Sequence, residues 1–96
     1  MQLEQALAIL DKHHNQIKSF DVKSLSIFGS VARNEATDNS DIDFVVEFAG
    51  TVTFDKYMDL KIFLEDTLKT KVDLATWRSI KPQLKANISK DAIRVA

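Results

Sequence analysis

Apolar residues recur along the chain in two different periods, and the alternation between them outlines the fold. Between Gln2 and Ser19, Leu3, Ala6, Leu7, Leu10 and Ile17 fall at helical spacing among charged and polar residues, which predicts an opening amphipathic helix. Asp21 breaks that pattern. Leu25, Ile27 and Phe28 then read as a short strand ending at Gly29, and Ser30 to Arg33 as a brief helical turn. The segment from Asn34 to Ser40 is rich in turn formers and reads as a loop. Ile42, Phe44, Val45, Val46 and Phe48 form a second strand, apolar enough to be covered on both faces, and Ala49-Gly50 ends it.

Thr53 suits the N-cap of a helix running from Phe54 to Lys69, with Tyr57, Leu60, Phe63, Leu64 and Leu68 as its buried stripe and Asp55 and Lys69 placed to suit its dipole. Val72, Leu74 and Ala75 predict a third strand, with Asp73 facing away from Val72 and Leu74. Pro82 fits the first turn of a last helix whose inward positions are Leu84, Ile88 and Ala92, and Ile93 to Val95 can add a short extended tail. The elements run helix, strand, strand, helix, strand, helix. They predict one α/β (α+β) domain over residues 1–96, with a small sheet flanked by helices.

Composition narrows the classes of function. With 96 residues, 45% of them apolar, the chain can bury one modest core. Thirteen basic residues against fourteen acidic ones give a net charge of -1, so nothing in the overall charge draws the protein to nucleic acid or an anionic membrane. The absence of cysteine excludes disulfides and thiolate metal sites. Neither a leader-like N-terminus nor an apolar run of the ~20 residues that span a bilayer is present, and the expected location is cytoplasmic.

The chemistry is concentrated between Ser26 and Phe48. Gly29-Ser30, following an apolar run, can open a helical turn whose unpaired N–H groups form an anion seat. Asp41 and Asp43, two residues apart at the start of a strand, share one face and form a cation seat. Each signal alone is weak, because Gly-Ser often follows a strand and paired aspartates often begin one. Their fixed separation strengthens both. Asp73 adds a third acid in an otherwise apolar strand, where a buried unpaired carboxylate is costly and calls for compensation. If the third strand lies beside the second, the three carboxylates can hold two Mg²⁺ ions, an arrangement suited to a nucleoside triphosphate. Arg33 either reaches a phosphate oxygen or pairs with a nearby acid. His13 and His14 diverge by about 100° on a helix and read as surface. Trp77 reads as packing.

The string Phe28-Gly29-Ser30-Val31-Ala32-Arg33, then Ser40-Asp41-Ile42-Asp43-Phe44-Val45-Val46 and Lys71-Val72-Asp73-Leu74, resembles the minimal nucleotidyltransferase (MNT) family of the DNA polymerase beta superfamily. The resemblance spans nearly the whole chain. It implies a nucleotidyltransferase fold with a small mixed β-sheet, Gly29 and Ser30 on the triphosphate with Arg33 beside them, and Asp41, Asp43 and Asp73 as catalytic metal ligands. It further implies Mg²⁺ and ATP, a HEPN-domain toxin as partner, and transfer of AMP to a tyrosine of that toxin, so that the chain acts as an antitoxin. A small-molecule nucleotidyltransferase of the aminoglycoside-modifying kind, or an antitoxin acting by binding alone, are the other readings. One departure stands out: the family usually has glycine after the motif arginine, and here Asn34 takes its place. Asparagine is among the few other residues that tolerate positive φ.

Overall fold

The computed structural model describes residues 1–35 and 41–96. The loop expected over Asn34 to Ser40, including motif residue Ser40, therefore falls largely outside the described residues. Helices α1 (Leu3–Lys12) and α2 (His14–Lys18) precede strand β1 (Val22–Phe28) and the one-turn helix α3 (Gly29–Ala32). Strand β2 (Ile42–Phe48), helix α4 (Phe54–Leu68) and strand β3 (Val72–Thr76) follow. A 3₁₀ turn at Trp77–Ser79, helix α5 (Pro82–Asp91) and strand β4 (Ile93–Arg94) complete the chain.

The four strands form one mixed sheet in the order β3-β2-β1-β4. β1 is antiparallel to both β2 and β4, whereas β2 and β3 run parallel, joined by the crossover helix α4 that parallel neighbours need. Alternation along the strands separates two faces. Leu25, Ile27, Ile42, Phe44, Val46, Val72 and Leu74 point to one side and pack with Ala6, Leu10, Ile17, Leu60, Leu64 and Leu68 of the helices. Ten of these thirteen side chains are fully shielded from solvent; at about 1.5–3 kcal/mol for burying each large aliphatic or aromatic one, this layer supplies the main stabilisation. Ser24, Ser26, Phe28, Asp43, Val45, Glu47 and Asp73 alternate onto the opposite face. Val45 is buried on that second side, outside the main core, so the middle of β2 is covered on both faces as its composition predicts.

The local signals act as expected at several ends. Thr53 Oγ1 accepts from the Lys56 amide at 3.1 Å, capping α4, and Pro82 occupies the first turn of α5. Asn34 takes φ 58°, the left-handed conformation expected of a residue standing in for glycine.

Three expectations are corrected. The single opening helix is broken at His13, which has φ -113° and ψ 17°; its ring Nδ1 lies 2.9 Å from the Ile9 carbonyl and the ring meets Phe63 edge-on. His13 is thus half-buried, and only His14 is surface. Leu84 is 48% exposed, leaving Ile88 and Ala92 as the partly covered positions of the last stretch. Lys69 lies beyond the last turn of α4 as a left-handed C-cap with φ 57°, a position glycine prefers. Among the described residues, no helix is long and apolar enough to cross a membrane.

Candidate active site

The site forms where β1 ends and β2 and β3 begin. Parallel pairing puts Asp43 directly opposite Asp73, and antiparallel pairing puts Phe28, the residue before Gly29, opposite Asp43. The register is anchored at its start by the Ile42 amide, which donates to the Lys71 carbonyl at 3.1 Å. A one-residue slip would send Asp43 into the core and Phe44 out. The buried alternation Ile42, Phe44, Val46 therefore fixes the carboxylate on the open face.

Gly29 is required here for two reasons. Its φ is +74°, a conformation costly for any residue with a Cβ. A Cβ at this position would also overlap the Asp43 carboxylate, with Asp43 Cγ only 3.1 Å away. The glycine thus lets the acid lie against the turn. Ser30, next in the turn, is half-buried, and its hydroxyl has no hydrogen-bond partner among the described residues.

Asp43 is half-buried, whereas Asp41 and Asp73 are exposed on either side of it. Burial pushes the Asp43 carboxyl above the ordinary carboxylate range, and the negative charges of Asp73 and Asp41 push it further; Arg33 opposes them. The three acids feel one another, but they do not close into a ready metal cage: among the described residues, no three acidic or imidazole side chains converge as a ligand cluster. Mg²⁺ is suited to such an incomplete set, because it binds through one or two carboxylates together with substrate phosphates. The all-oxygen donors and the raised Asp43 carboxyl, which a cation would relieve, fit a divalent metal at this place.

One sequence expectation changes, and of the two alternatives open for Arg33 one is observed. Asp73 is not a buried charge in need of compensation, because the open face of β3 is uncovered at its start and leaves the carboxylate in solvent. Arg33 pairs with acids: Nε lies 3.2 Å from Glu35 and Nη1 3.6 Å from Asp91 at the end of α5. All three side chains are substantially exposed, so these pairs position the guanidinium more than they stabilise the fold. Glu35 was within reach on spacing alone. Asp91 had no signal in the sequence, since only the return of α5 to α3 brings it near.

The polymerase beta nucleotidyltransferase family model matches residues 7–96. The chain belongs to this family. It carries the family's nucleotidyltransferase fold, and membership implies a nucleotide substrate and a divalent metal. A protein of Methanocaldococcus jannaschii, provisionally named a protein adenylyltransferase, is 41% identical over 95 residues, covering 97% of each chain. A solved structure provisionally described as a minimal nucleotidyltransferase superposes with TM-score 0.86 at 32% identity, covering 97% of this chain and 95% of that one. An MNT antitoxin in complex with a tri-AMPylated HEPN toxin from Shewanella oneidensis has the same fold, with TM-score 0.67 at 19% identity over 94% of this chain and 71% of that one.

Proposed function

We propose that this chain transfers AMP from ATP to a tyrosine hydroxyl of a HEPN-type toxin protein, and so acts as a cytoplasmic antitoxin. The observation that carries the reading is the Asp43–Asp73 cross-strand pair beside the Gly29 turn, in a chain of this family. The name of the Methanocaldococcus relative and the MNT–HEPN assembly from Shewanella support the choice of a protein acceptor.

In this reading Asp41 and Asp43 would hold Mg²⁺ with the triphosphate, with Asp73 beside them on the acceptor side. The metal, two ions in the full scheme, would supply charge neutralisation and a lowered pKa for the acceptor hydroxyl. Gly29 leaves room for the Asp43 carboxylate, and Ser30 offers its hydroxyl and amide to the phosphates. Arg33 is one turn away, and exchanging Glu35 or Asp91 for a phosphate oxygen would keep its charge paired. The tyrosine oxygen forms a bond to the α-phosphorus, the bond to the bridging oxygen breaks, pyrophosphate leaves, and the phenolic proton passes to the carboxylate side at Asp73. Such transfers depend chiefly on positioning and electrostatics, which a scaffold this small can supply.

The test uses ATP labelled on the α-phosphate, Mg²⁺ and the HEPN-domain toxin proposed as partner. Label is expected to become covalently bound to toxin and to be lost with Asp43→Ala. Labelling of a small alcohol with no protein acceptor present would contradict the proposed acceptor class.

A further inference from the structure

We propose that the cavity on the open face of the sheet, above Ser26 and Val45, receives the nucleoside of the nucleotide substrate, with Trp77 as the ring it packs against. This rests on the nucleotidyltransferase reading and adds to it the place and chemistry of base recognition. The cavity has a volume of about 270 Å³ and is lined by Ser26, Val45, Glu47, Trp77, Ser89 and Arg94, among others.

Its position follows from the strand register. Phe28 pairs with Asp43, Ser26 with Val45, and Ser24 with Glu47, so the Gly29 turn, the Asp43 carboxylate and the cavity succeed one another along β1 and β2 on one face. Val45 lies two residues, or about 7 Å, beyond Asp43. That is the order of the parts of a nucleoside triphosphate whose phosphates lie at the turn and whose α-phosphorus lies at the carboxylates. Asp73 is at the start of the edge strand β3, beside Asp43 and at the end of that strand away from Trp77, so the acceptor can approach from there.

The lining suits a purine nucleoside. Trp77 is half-buried, and the Lys85 ammonium lies 5.5 Å from its ring centroid over one face of the indole, which leaves the other face as an apolar plane for a base. Val45 supplies an apolar floor, and the Ser26 and Ser89 hydroxyls can bond sugar or ring atoms in either sense. The Glu47 carboxylate only accepts, which favours a base bearing an exocyclic amine, such as adenine, over one presenting a carbonyl there, such as uracil. Its contact with Lys23 is 4.0 Å long and exposed, a weak competitor for that carboxylate.

Trp77 is the only tryptophan, so the protein's indole emission comes from the residue that lines this cavity; it also borders a neighbouring pocket past Gly50 and Val52, and the cavity variants below separate the two. The wild-type protein is titrated with Mg-ATP and, separately, with Mg-tripolyphosphate, with ATP binding followed in parallel by calorimetry. Mg-ATP is expected to change the emission saturably and Mg-tripolyphosphate to leave it unchanged. Trp77→Ala should raise KM for ATP about tenfold, within the range for losing one base–aromatic stack, with a smaller effect on kcat. Ser89→Leu, a change on the exposed side of α5 that narrows the cavity without touching the core, should raise KM as well. Glu47→Gln should lessen the preference for ATP over UTP. Calorimetric ATP binding with unmoved emission and unchanged KM in both cavity variants would overturn the proposal, as would emission that answers to the acceptor protein and not to ATP. Absence of ATP binding by calorimetry would instead overturn the nucleotidyltransferase reading beneath it.

Discussion

Replacing Gly29 by alanine tests the packing of the site apart from its catalysis. At φ +74° an L-residue pays roughly 1–2 kcal/mol for the left-handed conformation. The new methyl also meets the Asp43 carboxylate, with Cγ at 3.1 Å and Cβ at 3.3 Å. Aspartate is too short to move far, and overpacking of this kind costs about 1–3 kcal/mol more. The sum is roughly 2–5 kcal/mol, a large share of the about 5–15 kcal/mol that holds an ordinary domain together. In an Asp43→Ala background the carboxylate is gone and only the backbone cost should remain. Urea unfolding of the wild type, both single variants and the double variant, in metal-free buffer, gives the cycle. A coupling of about 1–3 kcal/mol is expected, with Gly29→Ala less harmful once Asp43 is truncated. Additivity within about 0.5 kcal/mol would show that the carboxylate does not rest against the turn, and the geometric argument for the site would fail.

Other outcomes follow from the same contacts. Because the Asp43 carboxyl is raised in the fold, its protonated form is favoured there. The metal-free protein should therefore lose stability as pH rises from the ordinary carboxylate range through the raised value, and Asp43→Asn should melt higher than wild type at neutral pH while being inactive. Mg²⁺ with ATP should raise the melting temperature of wild type and have little effect on that variant. Asp73→Asn should lower kcat by about 10²-fold or more while leaving KM for ATP largely unchanged, measured as AMP transfer at varied ATP. Leu64→Ala, in the fully buried stripe of α4, should cost about 2–5 kcal/mol in urea unfolding, whereas Leu84→Ala, 48% exposed, should cost under about 1 kcal/mol. Lys69→Gly, at the left-handed cap of α4, should stabilise by about 1 kcal/mol by relieving φ 57°.

The elements most legible in the sequence were those set by local chemistry. Thr53 and Pro82 mark helix starts by the hydrogen bonds they make or lack, and the alternation of Ile42, Phe44 and Val46 determines which way Asp43 must point. The pairing of β3 with β2 was a condition attached to Asp73, and the parallel register meets it residue for residue. What escaped reading came from tertiary contact. The break at His13 gives up part of a helix that periodicity would continue, as the ring takes up the Ile9 carbonyl and the edge of Phe63. The exposure of Asp73 depends on what does not cover β3, and the Arg33–Asp91 contact on where α5 returns, neither of which is encoded near those residues. Gly29 was legible as a special backbone position, but its close approach to Asp43 became visible only once the two strands were paired.

The central claim is that Asp43, set against Gly29 and facing Asp73, serves metal-dependent transfer of AMP to a partner protein. Its most direct test is the intact mass of the HEPN-domain toxin proposed as its partner after incubation with this chain, ATP and Mg²⁺. The account predicts added mass in whole AMP units, located on tyrosine, and none with Asp43→Ala or with chelator. Unchanged toxin mass with the wild-type chain, or equal addition by Asp43→Ala, would contradict it.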